Sequence, residues 1–377
     1  GQGYSPYSAI STMAGNPLLI SPELLVEDGL LEPSIIKRQK QKSRNKVDFA
    51  AAKQVKERLF DEAYHNFSNG RAALLEREFD NFCESESGWL DDFAQYVALK
   101  QQNGGKPWYE WPDEFKFRDK AALEEFSENN QELIAKTKWL QFIFLRQWSA
   151  LKQYCNNRNI QLFGDLPFYV SNDSADVWAN KEIFSIDNEG KMTGLAGVPP
   201  DYFNSNGQLW GMPVFRWDVL KEQKYDWWIK RLKKNMQLYD LLRLDHFRAF
   251  SSYWDVPAGE DTAINGEWKQ GPASDFFSVL KQEFGELPFV AEDLGDIDAP
   301  VYELRDEFKL PGMRVLQFTF GDDVAQSVHS PHNFVINSIA YTGTHDNNTT
   351  VGWFRQDADE QIRRHVEEYS GVPAKEK

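Results

Sequence analysis

Leu241-Leu242-Arg243-Leu244-Asp245-His246-Phe247 is a short apolar run that ends on a carboxylate, with a cation two residues before it. A run of this kind reads as a buried strand, and side chains two apart on a strand share a face. Arg243 and Asp245 are therefore expected to point the same way. Working outward, the pattern recurs. Ile160-Gln161-Leu162-Phe163-Gly164-Asp165 lies upstream and Phe289-Val290-Ala291-Glu292-Asp293 downstream. Arg314-Val315-Leu316-Gln317-Phe318 follows, then Asn337-Ser338-Ile339-Ala340-Tyr341-Thr342, which leads into Gly343-Thr344-His345-Asp346. Helical patterns at Tyr225 to Leu238, Asp275 to Phe284 and Pro300 to Phe308 separate these runs. Strands alternating with helices imply a parallel sheet. Glu292 to Gln317 spans 25 residues and Gln317 to Asp346 spans 29, close to the ~30 per unit of a (β/α)8 barrel. A doubly wound sheet would look similar locally. The barrel is favoured because Asp165, Asp245, Glu292 and Asp346 each fall at the C-terminal end of a different strand, and a barrel brings those ends to one mouth.

Composition narrows the function. The 42 Lys+Arg against 58 Asp+Glu give a net charge of −16, which argues against a surface that tracks phosphates. No window approaches the ~18 apolar residues that span a bilayer. Cys83 and Cys155 are the only cysteines, too few for a disulfide framework or a cysteine zinc site. Histidines number six, and His246 and His345 each sit beside a carboxylate. Neighbours on an extended segment point apart, so chelation by those pairs is disfavoured, and no metal or cofactor is expected. The 13 Trp, 14 Tyr and 27 Phe suit sugar rings or a large core.

Residues 1 to 26 are rich in Gly, Pro and Ser and read as a loop region. A helical block covers 27 to 112, where Val47, Ala51, Val55, Leu59 and Ala63 recur at i+4. The remainder, 113 to 377, opens with a second helical stretch, from about Lys120 to Asn157, and continues into the strand-and-helix portion. Within it, 187 to 215 is dense in Gly, Pro and Asn and reads as a long loop of the kind that closes over sites.

Strand-end acids can simply cap the following helix. In a chain this rich in tryptophan they can also perform glycoside chemistry. One carboxylate attacks the anomeric carbon, a second of raised pKa protonates the leaving oxygen, and a third grips hydroxyls. Arg243 would hold Asp245 ionised, as a nucleophile requires. The apolar Phe289-Val290-Ala291 would desolvate Glu292 and raise its pKa. Asp293 should face the other way.

The order Arg243-Leu244-Asp245-His246-Phe247-Arg248, Glu292-Asp293-Leu294-Gly295 and Thr344-His345-Asp346-Asn347 resembles the α-amylase clan. Finer motifs resemble the 4-α-glucanotransferase family. These are Ser5-Pro6-Tyr7 with Ala14-Gly15-Asn16-Pro17, Gly164-Asp165-Leu166-Pro167 with Asp176-Val177-Trp178, Gly197-Val198-Pro199-Pro200-Asp201-Tyr202-Phe203 with Gly207-Gln208-Leu209-Trp210-Gly211, and Tyr341 to Thr350. The resemblance implies retaining transfer of α-1,4-glucan segments between maltooligosaccharides, on an amylase-type TIM barrel with a helical insertion subdomain at 27–112. It implies Asp245 as nucleophile, Glu292 as acid/base and Asp346 as transition-state stabiliser. It further implies Arg243, His345 and Asp165 around the bound glucose, Phe203 and Trp210 in a lid at 187–215, and Tyr7 in a glucan-contacting loop. Barrel strands before residue 1 and after residue 377 are implied too, so the barrel is expected to be incomplete in this chain. The partners implied are glucans, with no nucleic acid and no membrane, in the cytoplasm or, for a plant or alga, the plastid. Two other readings use the same acids: an amylase-type hydrolase and an inactive glucan-binding fragment.

Overall fold

The Asp48 side chain accepts the Ala51 N–H at 3.0 Å, satisfying one of the orphan donors of a helix start, and the helix Phe49–Ser68 begins there. Val47 is therefore left ahead of the helix, and is 69 % exposed although it keeps the apolar period. Leu59 and Ala63, further along the same stripe, are buried. The computed structural model describes residues 2–38, 46–200 and 204–372. The chain divides into two units.

The first unit comprises Gly1–Gly164, Tyr169–Asp240 and Trp254–Lys269. Its helical part buries Leu59, Phe60, Phe67 and Leu90 against Trp139, Phe142 and Ile143 of the long helix Gln131–Asn156. Gln141, buried on that helix, accepts the Gly15 N–H at 2.8 Å and donates to the Gly15 carbonyl at 3.1 Å, which pins the N-terminal loop.

The strands in chain order are β1 (Phe163–Leu166), β2 (Gly194–Val198), β3 (Gln208–Pro213), β4 (Leu241–Leu244), β5 (Ser252–Pro257), β6 (Glu267–Gln270), β7 (Phe289–Ala291), β8 (Gly312–Val315) and β9 (Ser338–Tyr341). Among the described residues they lie in three sheets. One has the order β3-β2-β5-β6, with β2 antiparallel to both neighbours. The stretch 187–215, expected as loop, thus contains two paired strands. A Cβ on Gly197 would run into the Gln208 carbonyl across the pair, so this glycine permits a close backbone approach rather than marking a turn.

The second unit comprises Asp165–Phe168, Leu241–Tyr253 and Gln270–Lys377. Here the order is β1-β4-β7, with β4 parallel to β7, and a separate parallel pair β8-β9. The Ala291 N–H donates to the Pro311 carbonyl at 2.8 Å, tying β7 to the start of β8. The strand expected at Arg314–Phe318 starts earlier, at Gly312, and gives way at Leu316 to a 3-10 turn. Helices Ala273–Phe284 and Ala299–Glu307 connect the strands. Behind the end of β4, Phe250 stacks on Phe276 at 5.3 Å and meets Phe277 edge-on at 5.1 Å. This aromatic cluster holds the loop that follows Asp245. The expected α/β organisation is observed.

Candidate active site

Asp245 directly follows β4, Glu292 directly follows β7, and Asp165 lies in the last half of β1. Parallel pairing of Leu244 with Ala291 brings the first two together. Arg243 is 8 % exposed. Its Nη1 donates to Asp165 Oδ1 and to Asp245 Oδ1, each at 2.7 Å. Burial opposes that charge, but the Asp245, Asp165 and Glu292 carboxylates outweigh it and hold the guanidinium protonated.

Glu292 is fixed by backbone. Its Oε2 accepts the His246 N–H at 2.9 Å and its Oε1 accepts the Leu294 N–H at 3.1 Å. His246 has a φ of 49°, a left-handed conformation that is costly outside glycine and that aims its N–H at the carboxyl. Burial, and then the Asp245 charge, push Glu292 up to about 8, against Arg243 and the two N–H donors. Burial also raises Asp245, to about 6, with Arg243 pulling down and Asp165 and Asp346 pushing up. The sequence predicts that Arg243 holds Asp245 ionised. Burial is the larger effect there, yet Asp245 still ionises below Glu292. Two acids held apart in this way are set up for different roles at one pH.

His345 Nε2 lies 3.2 Å from Asp346 Oδ1 and 3.9 Å from Asp165 Oδ2. The two neighbours were expected to point apart. They meet because Thr344 to Asn347 is a turn, closed by the Asn347 N–H on the Thr344 carbonyl at 3.2 Å, and not an extended segment. Among the described residues no group of three or more His, Cys, Asp or Glu side chains is placed to hold a metal. No helix there is long and apolar enough to cross a membrane.

Arg243, Asp165, Asp245, Glu292, His345 and Asp346 all belong to the second unit. Trp210, on β3, and Tyr7, in the short turn Pro6–Ser8, belong to the first. Trp210 packs against Tyr169 at 5.8 Å. Phe203 lies outside the described residues. The sequence reading missed the His246 and Leu294 amides, because nothing in a side-chain pattern marks a backbone donor. Tyr341, named there only within a motif, lies at the end of β9; its hydroxyl pKa is raised by burial and is influenced by Arg243 and Asp165.

Carboxylates of unequal acidity gathered at the ends of parallel strands fit a glycoside-processing enzyme. The family model for 4-alpha-glucanotransferase matches residues 1–376. The 4-alpha-glucanotransferase of Synechocystis is 45 % identical, covering 100 % of this chain and 75 % of that protein. The chloroplastic/amyloplastic 4-alpha-glucanotransferase of Solanum tuberosum is 40 % identical over 93 % of this chain and 60 % of its own length. The solved amylomaltase of Streptococcus agalactiae, in complex with acarbose, superposes with a TM-score of 0.92 at 37 % identity, over 99 % of this chain and 75 % of that one. The chain belongs to the 4-alpha-glucanotransferase family and is a glycosyltransferase, as the motifs led one to expect. The comparisons favour neither the hydrolase nor the silent binding reading.

Proposed function

We propose that this enzyme moves α-1,4-glucan segments between maltooligosaccharides by retaining double displacement. Asp245 attacks the anomeric carbon while Glu292 protonates the leaving oxygen. The covalent glucosyl-enzyme is then taken by a sugar hydroxyl that Glu292 deprotonates. Asp346 steadies the oxocarbenium-like state, Arg243 orients the nucleophile, and Asp165 and His345 hold hydroxyls of the bound glucose. The observation that carries this reading is geometric: the parallel pairing of Leu244 with Ala291 sets Asp245 beside Glu292, with Arg243 2.7 Å from Asp245 and the His246 N–H 2.9 Å from Glu292, and burial raises Glu292 above Asp245 in keeping with the two roles.

The second unit's strands are read as an arc of an amylase-type (β/α)8 barrel, which the order β1-β4-β7 and the parallel pair β8-β9 support. Residues 27–112 are assigned to the helical insertion. The stretch 187–215, with Trp210 and Phe203, is assigned to a lid that keeps water from the intermediate, and Tyr7 to glucan contact. The enzyme is assigned to the cytoplasm or, for a plant or alga, the plastid, in keeping with the chloroplastic/amyloplastic relative of Solanum tuberosum.

Maltotriose tests the reaction. The expected result is glucose together with a ladder of longer oligosaccharides; glucose and maltose alone would contradict transfer. The pH profile tests the acids. Asp245 must be ionised and Glu292 protonated, so kcat/KM should fall below about 6 and above about 8. Arg243→Gln removes the cation that lowers Asp245, so its acid limb should move to higher pH. An unmoved limb would mean that Arg243 does not act on the nucleophile.

A further inference from the structure

We propose that Asp293 is a positioning residue for the acid/base Glu292, acting through a buried charge cluster behind β7. The proposal rests on the reading of Glu292 given above. Asp293 points away from the acids, as expected for the next residue along, and its side chain is 0 % exposed. Its Oδ1 accepts the Met313 N–H at 2.7 Å, and its Oδ2 accepts Arg305 Nη1 at 2.6 Å and Arg314 Nη1 at 3.3 Å. One carboxylate thereby joins the end of β7 to β8 and to the helix Ala299–Glu307. The fit is close: a Cβ on Gly312 would collide with Asp293 Oδ2.

A carboxylate buried between guanidiniums is a poor route to stability, because desolvation offsets the Coulomb gain and apolar replacements often do as well. Geometry gives it a use. Glu292 takes one of its two hydrogen bonds from the Leu294 N–H, on the far side of the Asp293 residue. The direction of that N–H depends on the backbone at Asp293, which the cluster holds from behind. The other bond, from His246, comes from the nucleophile's own loop. If Asp293 loosens, the acid/base keeps only the second anchor and swings relative to the leaving oxygen. Displacement by ~1 Å can cost ~10²-fold in rate.

The test uses Asp293→Asn, which is nearly isosteric, and Arg305→Gln, which removes one of the two cations while leaving the Asp293 carboxylate in place. Each is assayed in the full chain with maltotriose and with α-maltosyl fluoride, whose leaving group needs no proton. The expected result is a loss of ~10–100-fold in kcat with maltotriose, little change in its KM, and a much smaller loss in the rate of the first-turnover burst of fluoride, which precedes the step that needs the base. Loss of similar size on both donors, or a loss carried by KM, would overturn the proposal and leave the cluster a matter of folding alone. If Asp293→Asn does not fold, Arg305→Gln gives the same two-donor readout. Loss of equal size on both donors in Glu292→Gln, assayed alongside, would refute the Glu292 reading itself, an outcome distinct from either.

Discussion

Asp245→Asn should lose between about 10⁴- and 10⁶-fold in kcat, the scale of loss when one member of a nucleophilic catalytic unit is removed. The substitution keeps the shape of the side chain and removes its negative charge, so Arg243 retains Asp165 as a carboxylate partner at 2.7 Å. The fold should therefore survive, with a cooperative thermal transition. Because Asp245 raises Glu292 by its charge, Glu292 should also ionise at lower pH in the variant. Substantial residual transfer, followed as glucose released from maltotriose, would show that another group attacks the anomeric carbon.

Glu292→Gln should lose ~10²–10⁴-fold with maltotriose, the usual contribution of a positioned general acid. The loss should be far smaller for the first-turnover burst of fluoride from α-maltosyl fluoride, because only the later transfer step needs the base. A second effect has a definite sign. In the folded chain Glu292 holds its proton up to about 8, against an ordinary value of 4.5. Between those values folding takes up a proton, so the group lowers stability progressively as pH rises, and fully above about 8. Removing it should make the variant more stable than the wild type at pH 8 and little different near pH 4. Equal loss on both donors, or no gain in stability at high pH, would mean that Glu292 is not the buried acid described here.

The parts legible in the sequence were those written in side chains of regular period. Leu241 to Asp245 and Phe289 to Glu292 show an apolar run and its terminal acid directly, and the two strands lie there, paired in parallel. The strand near Arg314 starts two residues earlier than the sequence suggests, because Pro311-Gly312 carries the signal of a turn. The pair β2 and β3 was hidden. Its glycines allow backbones to approach, as at Gly197, and the same composition is read as loop when no partner strand is visible. In the site, Arg243 beside Asp245 followed from the two-residue period, whereas the amides of His246 and Leu294 on Glu292 could not. The contact of His345 with Asp346 was misjudged for a related reason: the extended geometry that separates neighbours had already ended in a turn. Asp293 was expected to face away, and it does, but its partners come from distant positions in the chain that no local pattern announces.

The covalent intermediate is the most direct measurement. With the proposed acid/base removed, Glu292→Gln should accept a maltosyl group from α-maltosyl fluoride and pass it on slowly, so that the glycosyl-enzyme accumulates. Rapid acid quenching, proteolysis and mass spectrometry should find one maltosyl group on the peptide that carries Asp245, at Asp245 itself. A maltosyl group on any other residue, or fluoride released with inverted product and no labelled peptide, would contradict the double displacement on which this account rests.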